Sequence, residues 1–190
     1  MRKVILSKFV TLDGFISGPN GELDWMPGNQ TPDEEVDSHI YEMLDDIDTI
    51  LLGARTYELF VDYWPGATTQ QEVIAEKLNA KQKIVFSNAL DDVNWGRWDN
   101  ARLAKGDLAD EISRLKKQSG KDMVIFGGAN LAQSSMDLGL IDEWRLIVAP
   151  VVLGRGKPLF EGTKERINLN LLKTKTFKSG NVLLSYAPQR

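Results

Sequence analysis

Three short stretches carry, between them, glycines, small polar residues and a cation in ways that suit phosphate. Val124-Ile125-Phe126-Gly127-Gly128-Ala129-Asn130 is an apolar run that breaks on two glycines before a helix-forming segment. Glycines there let a phosphate approach the backbone, and the first amides of the helix offer donors at the positive end of its dipole. Leu51-Leu52-Gly53-Ala54-Arg55-Thr56-Tyr57-Glu58 repeats the arrangement and adds a guanidinium and a hydroxyl suited to phosphate oxygens. Phe86-Ser87-Asn88 places two small polar side chains where another apolar run ends. Taken singly, each stretch is also what a tight turn requires, or a helix capped by Thr56. Together they would line one rim of a sheet, as a bound dinucleotide requires, since ligands of open α/β sheets sit beyond the carboxyl ends of the strands.

The elements that must position these residues follow from periodicity and turn chemistry. Apolar runs predict strands over 3–9, 49–52, 83–87, 122–126 and 144–148, the last continuing past Pro150 through Val151-Val152-Leu153, with a shorter strand over 102–105. A helix opens at Thr31-Pro32-Asp33-Glu34, with Thr31 as N-cap, Pro32 at the first position and Glu34 completing a capping box. Val36, Ile40, Met43, Leu44 and Ile47 give it one apolar face, with Asp33 and Asp37 at its edge. Further helices are expected from Thr56 to the break at Trp64-Pro65-Gly66, over 72–80, through Leu108, Ile112 and Leu115 to Gly120, and over 130–137. Strands over 171–177 and 182–187, joined at Lys178-Ser179-Gly180-Asn181, read as a hairpin. Alternating strands and helices imply a mostly parallel sheet covered on both faces. The fold class is therefore a three-layer α/β/α sandwich with a mixed sheet and an antiparallel C-terminal hairpin, in one domain spanning 1–190.

Composition narrows the chemistry. The absence of cysteine removes disulfides, thiolate nucleophiles and Cys-based metal sites, and the single His39 cannot build a His-rich metal site or a serine–histidine triad. No metal is assigned. A net charge of −4 gives no bulk attraction to nucleic acid or an anionic membrane. The densest basic cluster, Arg114, Lys116 and Lys117, reads as a solvated helix face. The first apolar run is interrupted by Ser7 and Lys8 before it could serve as a signal-peptide core, so a cytoplasmic protein is expected. His39 reads as a surface residue, Tyr63 and Trp64 as core or interface, and Asp142-Glu143 as a solvated acidic pair.

The ordered set of motifs resembles the dihydrofolate reductase superfamily, and more closely the reductase domain of the bifunctional riboflavin-synthesis deaminase-reductase. The resemblance runs through Val10-Thr11-Leu12-Asp13-Gly14-Phe15-Ile16, Pro19-Asn20-Gly21-Glu22-Leu23-Asp24-Trp25, Gly53 to Glu58, Gly127-Gly128, Leu140-Ile141-Asp142-Glu143-Trp144 and Pro150 to Phe160. It implies an NAD(P)H-dependent reductase of a pterin- or aminopyrimidine-like heterocycle, similar to 5-amino-6-(5-phosphoribosylamino)uracil reductase and dihydrofolate reductase. By that resemblance Gly53, Arg55, Thr56, Ser87, Asn88, Gly127, Gly128, Ala129 and Asn130 bind the cofactor, while Lys8, Phe9 and Trp25 border substrate and nicotinamide. Ala54 stands where the family usually has Arg, so NADPH is favoured over NADH by family habit, and NADH stays open. Folate reductases supply a proton through a carboxyl on the first helix, and an ungapped count from Gly53 places Asp37 there, with Asp33 as its rival. A homodimer is implied, with Trp144 as an interface contributor. The competing readings are a dedicated riboflavin-pathway reductase, for which Lys8, Arg155 and Lys157 are the candidate phosphate ligands, a non-catalytic nucleotide-binding or sensing module on the same fold, and an unrelated α/β binding protein.

Overall fold

The computed structural model of the protein describes residues 1–28 and 32–189. An eight-stranded sheet forms its centre. In chain order its strands are β1 (Val4–Thr11), β3 (Ile47–Gly53), β4 (Gln82–Phe86), β5 (Ala101–Ala104), β6 (Asp122–Ile125), β7 (Glu143–Ala149), β9 (Leu169–Thr176) and β10 (Val182–Pro188). Their spatial order is β5-β4-β3-β6-β1-β7-β10-β9. The first six run parallel, and β10 returns antiparallel between β7 and β9. Two short strands, β2 (Phe15–Ser17) and β8 (Lys157–Pro158), pair apart from this sheet.

Five α-helices cover both faces: α1 (Glu34–Met43), α2 (Ala54–Val61), α3 (Ala75–Ala80), α4 (Leu108–Lys117) and α5 (Ala129–Asp137). Alternation along each strand divides the apolar residues between two layers. Val4 and Leu6 of β1 pack with Ile112 and Leu115 of α4 and with Leu131 and Met136 of α5. Ile5 faces the other way, into a cluster with Tyr57 of α2 and Leu78 of α3, while Val36 of α1 packs on Ile147, Phe177 and Leu183. The α/β/α sandwich and its antiparallel hairpin thus follow from the expected pattern.

Several local expectations are corrected. The first helix ends earlier than its apolar face suggested, because Ile47 already belongs to β3. Its cap is Asp33, whose carboxylate accepts from Val36 N at 3.2 Å; Thr31 lies outside the described residues. Val151-Val152-Leu153 does not extend β7, which stops at Ala149 before Pro150. Trp144, expected at an interface, is 3% exposed and packs in the α4/α5 core, so it is not available to a partner. The Asp142-Glu143 pair is not solvated: Asp142 binds Lys116 and accepts from Val4 N, and buried Glu143 binds Arg145 and Lys3. Of the expected solvated basic face, Arg114 and Lys117 are exposed, with Arg114 paired to Glu111 on the same helix, whereas Lys116 turns inward to Asp142. His39 is half-buried against Phe177, with ring centroids 5.8 Å apart.

Candidate functional site

A cleft of about 1090 Å³ opens along the carboxyl ends of β1, β3, β4 and β6. It receives eleven of the thirteen residues proposed for the site: Lys8, Phe9, Gly53, Arg55, Thr56, Ser87, Asn88, Gly127, Gly128, Ala129 and Asn130. Sequence positions 8 to 130 converge there because parallel strands return every carboxyl end to one edge.

The two glycine turns face each other across neighbouring strands. Gly128 has φ +80°, and a Cβ built on it would lie 3.6 Å from Gly53 N and 3.4 Å from Thr56 Oγ1. Gly127 is required for a different reason: its Cβ would fall 2.0 Å from the Thr56 side chain. Thr56 is not the cap of α2, as it sits inside that helix; the cap position is Gly53. In α5 the corresponding position is Gly128. Neither helix has a side-chain cap, whereas α1 and α4 are closed by Asp33 and Asp107, each accepting from a first-turn amide. The uncapped amides of α2 and α5 meet at the cleft, a donor arrangement suited to a pyrophosphate.

At the β4 end, Ser87 Oγ accepts from the Ala89 and Leu90 amides, which leaves its proton to donate. Asn88 Oδ1 accepts from Gly106 N at 2.9 Å, fixing the side chain beside the groove. Arg55 is exposed at the start of α2 on the cleft wall. These groups could hold a phosphate or a ribose.

The other end is more apolar, with Phe9, Ile16, Leu23, Met26, Ile40 and Ile147 on its walls. Lys8 and Lys157 are the cations there. Lys8 is 9% exposed, and among the described residues no hydrogen bond or ion pair reaches its Nζ. Burial pushes its ammonium down to about 8, with repulsion from Lys157 the second cause. The segment after β1 reaches the cleft because Asp13 pins it: its carboxylate accepts from Thr11 Oγ1 at 2.6 Å and from Gly154 N at 2.7 Å. Those bonds hold Asp13 below the ordinary carboxylate range.

Two proposed residues do not line the cleft. Trp25 is half-buried beside it, and its Nε1 has no partner. Asp37 is half-buried on α1, the helix whose Ile40 does reach the cleft. Burial first, then Asp33 and Glu72, hold the Asp37 carboxyl above its usual range. Asp33 is occupied as the helix cap and also accepts from Asn181 Nδ2. Trp64, assigned to core or interface, packs against the core around Tyr57 and Leu78 and also borders the cleft. The turn from Gly18 to Gly21 was legible only as a loop; its glycine and proline signals define a turn and not what the turn covers.

The sequence profile of the RibD C-terminal domain matches residues 2–183. The uncharacterized protein YyaP of Bacillus subtilis (strain 168) is 40% identical over 188 residues, covering 97% of this chain and 94% of its own. Among solved structures, the diaminohydroxyphosphoribosylaminopyrimidine deaminase/5-amino-6-(5-phosphoribosylamino)uracil reductase of Thermotoga maritima superimposes with a TM-score of 0.72 at 16% identity, over 99% of this chain and 57% of that one. A dihydrofolate reductase of Enterococcus faecalis, complexed with NADP(H), superimposes with a TM-score of 0.65 at 14% identity, over 99% and 97% of the two chains. At those identities the two structures speak for the shared fold.

Proposed function

The chain belongs to the RibD C-terminal domain family, and from that premise we propose that it is an NADPH-dependent reductase of a small pyrimidine- or pterin-like heterocycle. The observation that carries the reading is the continuity of one cleft from two uncapped, glycine-started helices to an apolar end with a buried lysine. Gly53, Thr56, Gly127, Gly128, Ala129 and Asn130 hold the pyrophosphate through backbone amides and the Thr56 hydroxyl. Arg55, Ser87 and Asn88 take the adenosine ribose and its phosphate, which favours NADPH over NADH. The cofactor, when bound, supplies hydride. Lys8, Phe9 and Trp25 border the reacting end, and the apolar walls keep water from it. The working form is taken to be a cytoplasmic homodimer, checked by sedimentation at micromolar concentration.

Calorimetry with NADPH and NADH, on wild type and Gly128→Ala, tests the cofactor. NADPH is expected to bind more tightly than NADH. The variant is expected to weaken NADPH roughly tenfold, or ~1.4 kcal/mol, beyond a folding cost of about 1 kcal/mol for a side chain at positive φ. Unchanged affinity would remove the cofactor assignment. NADPH oxidation with dihydrofolate and with 5-amino-6-(5-phosphoribosylamino)uracil then tests the substrate class. Binding without oxidation of any heterocycle would leave a nucleotide-binding module.

A further inference from the structure

Reduction of a C=N bond needs a proton as well as a hydride, and the described residues that line the cleft include no Asp, Glu, His or Tyr. Its ionisable side chains are Lys8, Arg55 and Lys157. A guanidinium does not give up its proton in a protein, and Arg55 stands at the glycine-turn end. Lys157 is exposed on β8, where water competes for its proton. Lys8 is buried on β1, between Ser7 and Phe9, which also line the cleft, and among the described residues no acid pairs with it. An unpaired buried ammonium is costly and is retained where it serves a site.

We propose that Lys8, buried at the cleft wall, is the proton donor of the reduction. The proposal rests on the reductase reading above and adds the group that completes the chemistry. The substrate C=N bond gains hydride at carbon from the reduced nicotinamide and a proton at nitrogen from Lys8 Nζ. The π pair becomes the electron pair of the new N–H bond. The neutral amine left on Lys8 takes a proton back from solvent once the product has left the cleft.

The surroundings are consistent with one dominant neighbour. Lys157 on β8 is the charged group that acts on Lys8. On β7, Glu143 is paired with both Arg145 and Lys3. On α5, Asp137 accepts from Gln133 Nε2, and on α4, Lys116 is paired with Asp142. With burial holding the Lys8 ammonium at about 8, a large share of its protons is transferable at neutral pH, which is where a general acid works best.

The first measurement is a pH titration of the lysine ε-methylene signals by NMR in the protein without substrate, with and without NADP⁺. One lysine is expected to titrate near 8, to vanish in Lys8→Met and to move upward in Lys157→Met. If Lys8 titrates with the ordinary lysines, the proposal is overturned whatever the substrate proves to be. This arm does not depend on turnover, so failure of the reductase reading and failure of the lysine assignment are distinguishable. The second measurement uses whichever of dihydrofolate and 5-amino-6-(5-phosphoribosylamino)uracil is reduced. Lys8→Met is expected to lower the maximal rate roughly 100-fold, with NADPH affinity nearly kept. Lys8→Arg is expected to stay slow, because it keeps the charge and withholds the proton. Restoration of the rate by arginine would show an electrostatic clamp and overturn the proton-donor role.

Discussion

Two buried lysines occupy opposite ends of the same sheet, and both are pushed down by burial, but they differ in their partners. Lys83, the second residue of β4, lies at its amino end and is 0% exposed. Its Nζ donates to Asn79 O at 2.5 Å and lies 4.4 Å from the centroid of Trp95, and burial drives it down to about 7. Asn79 ties that region together: its Oδ1 accepts from Trp95 Nε1 at 2.7 Å, and its Nδ2 donates to Trp64 O at 2.6 Å. Nearby, Arg2 is bound by Asp48, Thr49 and the Lys121 carbonyl. Lys8, toward the carboxyl end of β1, has no such neighbours and borders the cleft. The lesson is that burial of a charge does not identify function by itself; a satisfied lysine belongs to the scaffold, and an unsatisfied one beside a cleft is left for a ligand.

The largest stability effect should come from the satisfied end. Asn79→Ala leaves Trp95 Nε1 buried without its partner and removes one of the two bonds to Trp64 O, which keeps the Ala67 amide, at about 3 kcal/mol in all. Denaturant unfolding should show that loss while NADPH calorimetry shows little change; a comparable loss of affinity would break the division between scaffold and site.

The next effect is the pH dependence of the two lysines. Each has a folded-state value below its unfolded one, so between the two values the unfolded chain binds more protons and stability rises with pH. For Lys83 the window runs from about 7 to 10.5, and for Lys8 from about 8 to 10.5. Lys83→Met should flatten the wider rise and stabilise the protein at pH 6 by about 2 kcal/mol, net of the lost bond to Asn79. Lys8→Met should give a smaller gain, about 1 kcal/mol, at the expense of turnover. Urea unfolding from pH 6 to 10 measures both. A flat wild-type profile would contradict the burial of charge at either end.

The smallest effect is expected at Asp37. Its carboxyl is raised by burial, so Asp37→Asn should stabilise the fold by only a few tenths of a kcal/mol above the carboxylate range. With Lys8 as donor the variant should keep its full rate, as should Asp33→Asn once its capping loss is allowed for. A rate loss confined to Asp37→Asn would return the proton to the first helix and reverse the contrast drawn between the lysines.

Local chemistry determined much of this protein. Apolar runs and helical spacing set the strands and helices, because burial of one face per element is written in consecutive residues. The glycine turns at Gly53 and Gly127-Gly128 were legible for the same reason, as breaks between a strand and a helix. Other features depended on partners distant in the chain. The first helix is capped by Asp33, and Trp144 went into the core because helices α4 and α5 cover its face. Gly127 is explained by the Thr56 side chain, 71 positions earlier. Lys8 in sequence is one cation in an apolar run; only the assembled sheet, the turn pinned by Asp13 and the approach of Lys157 made it buried, unpaired and adjacent to the cleft. A residue's charge is fixed by its type, but its solvation and its partners are set by the residues folded around it.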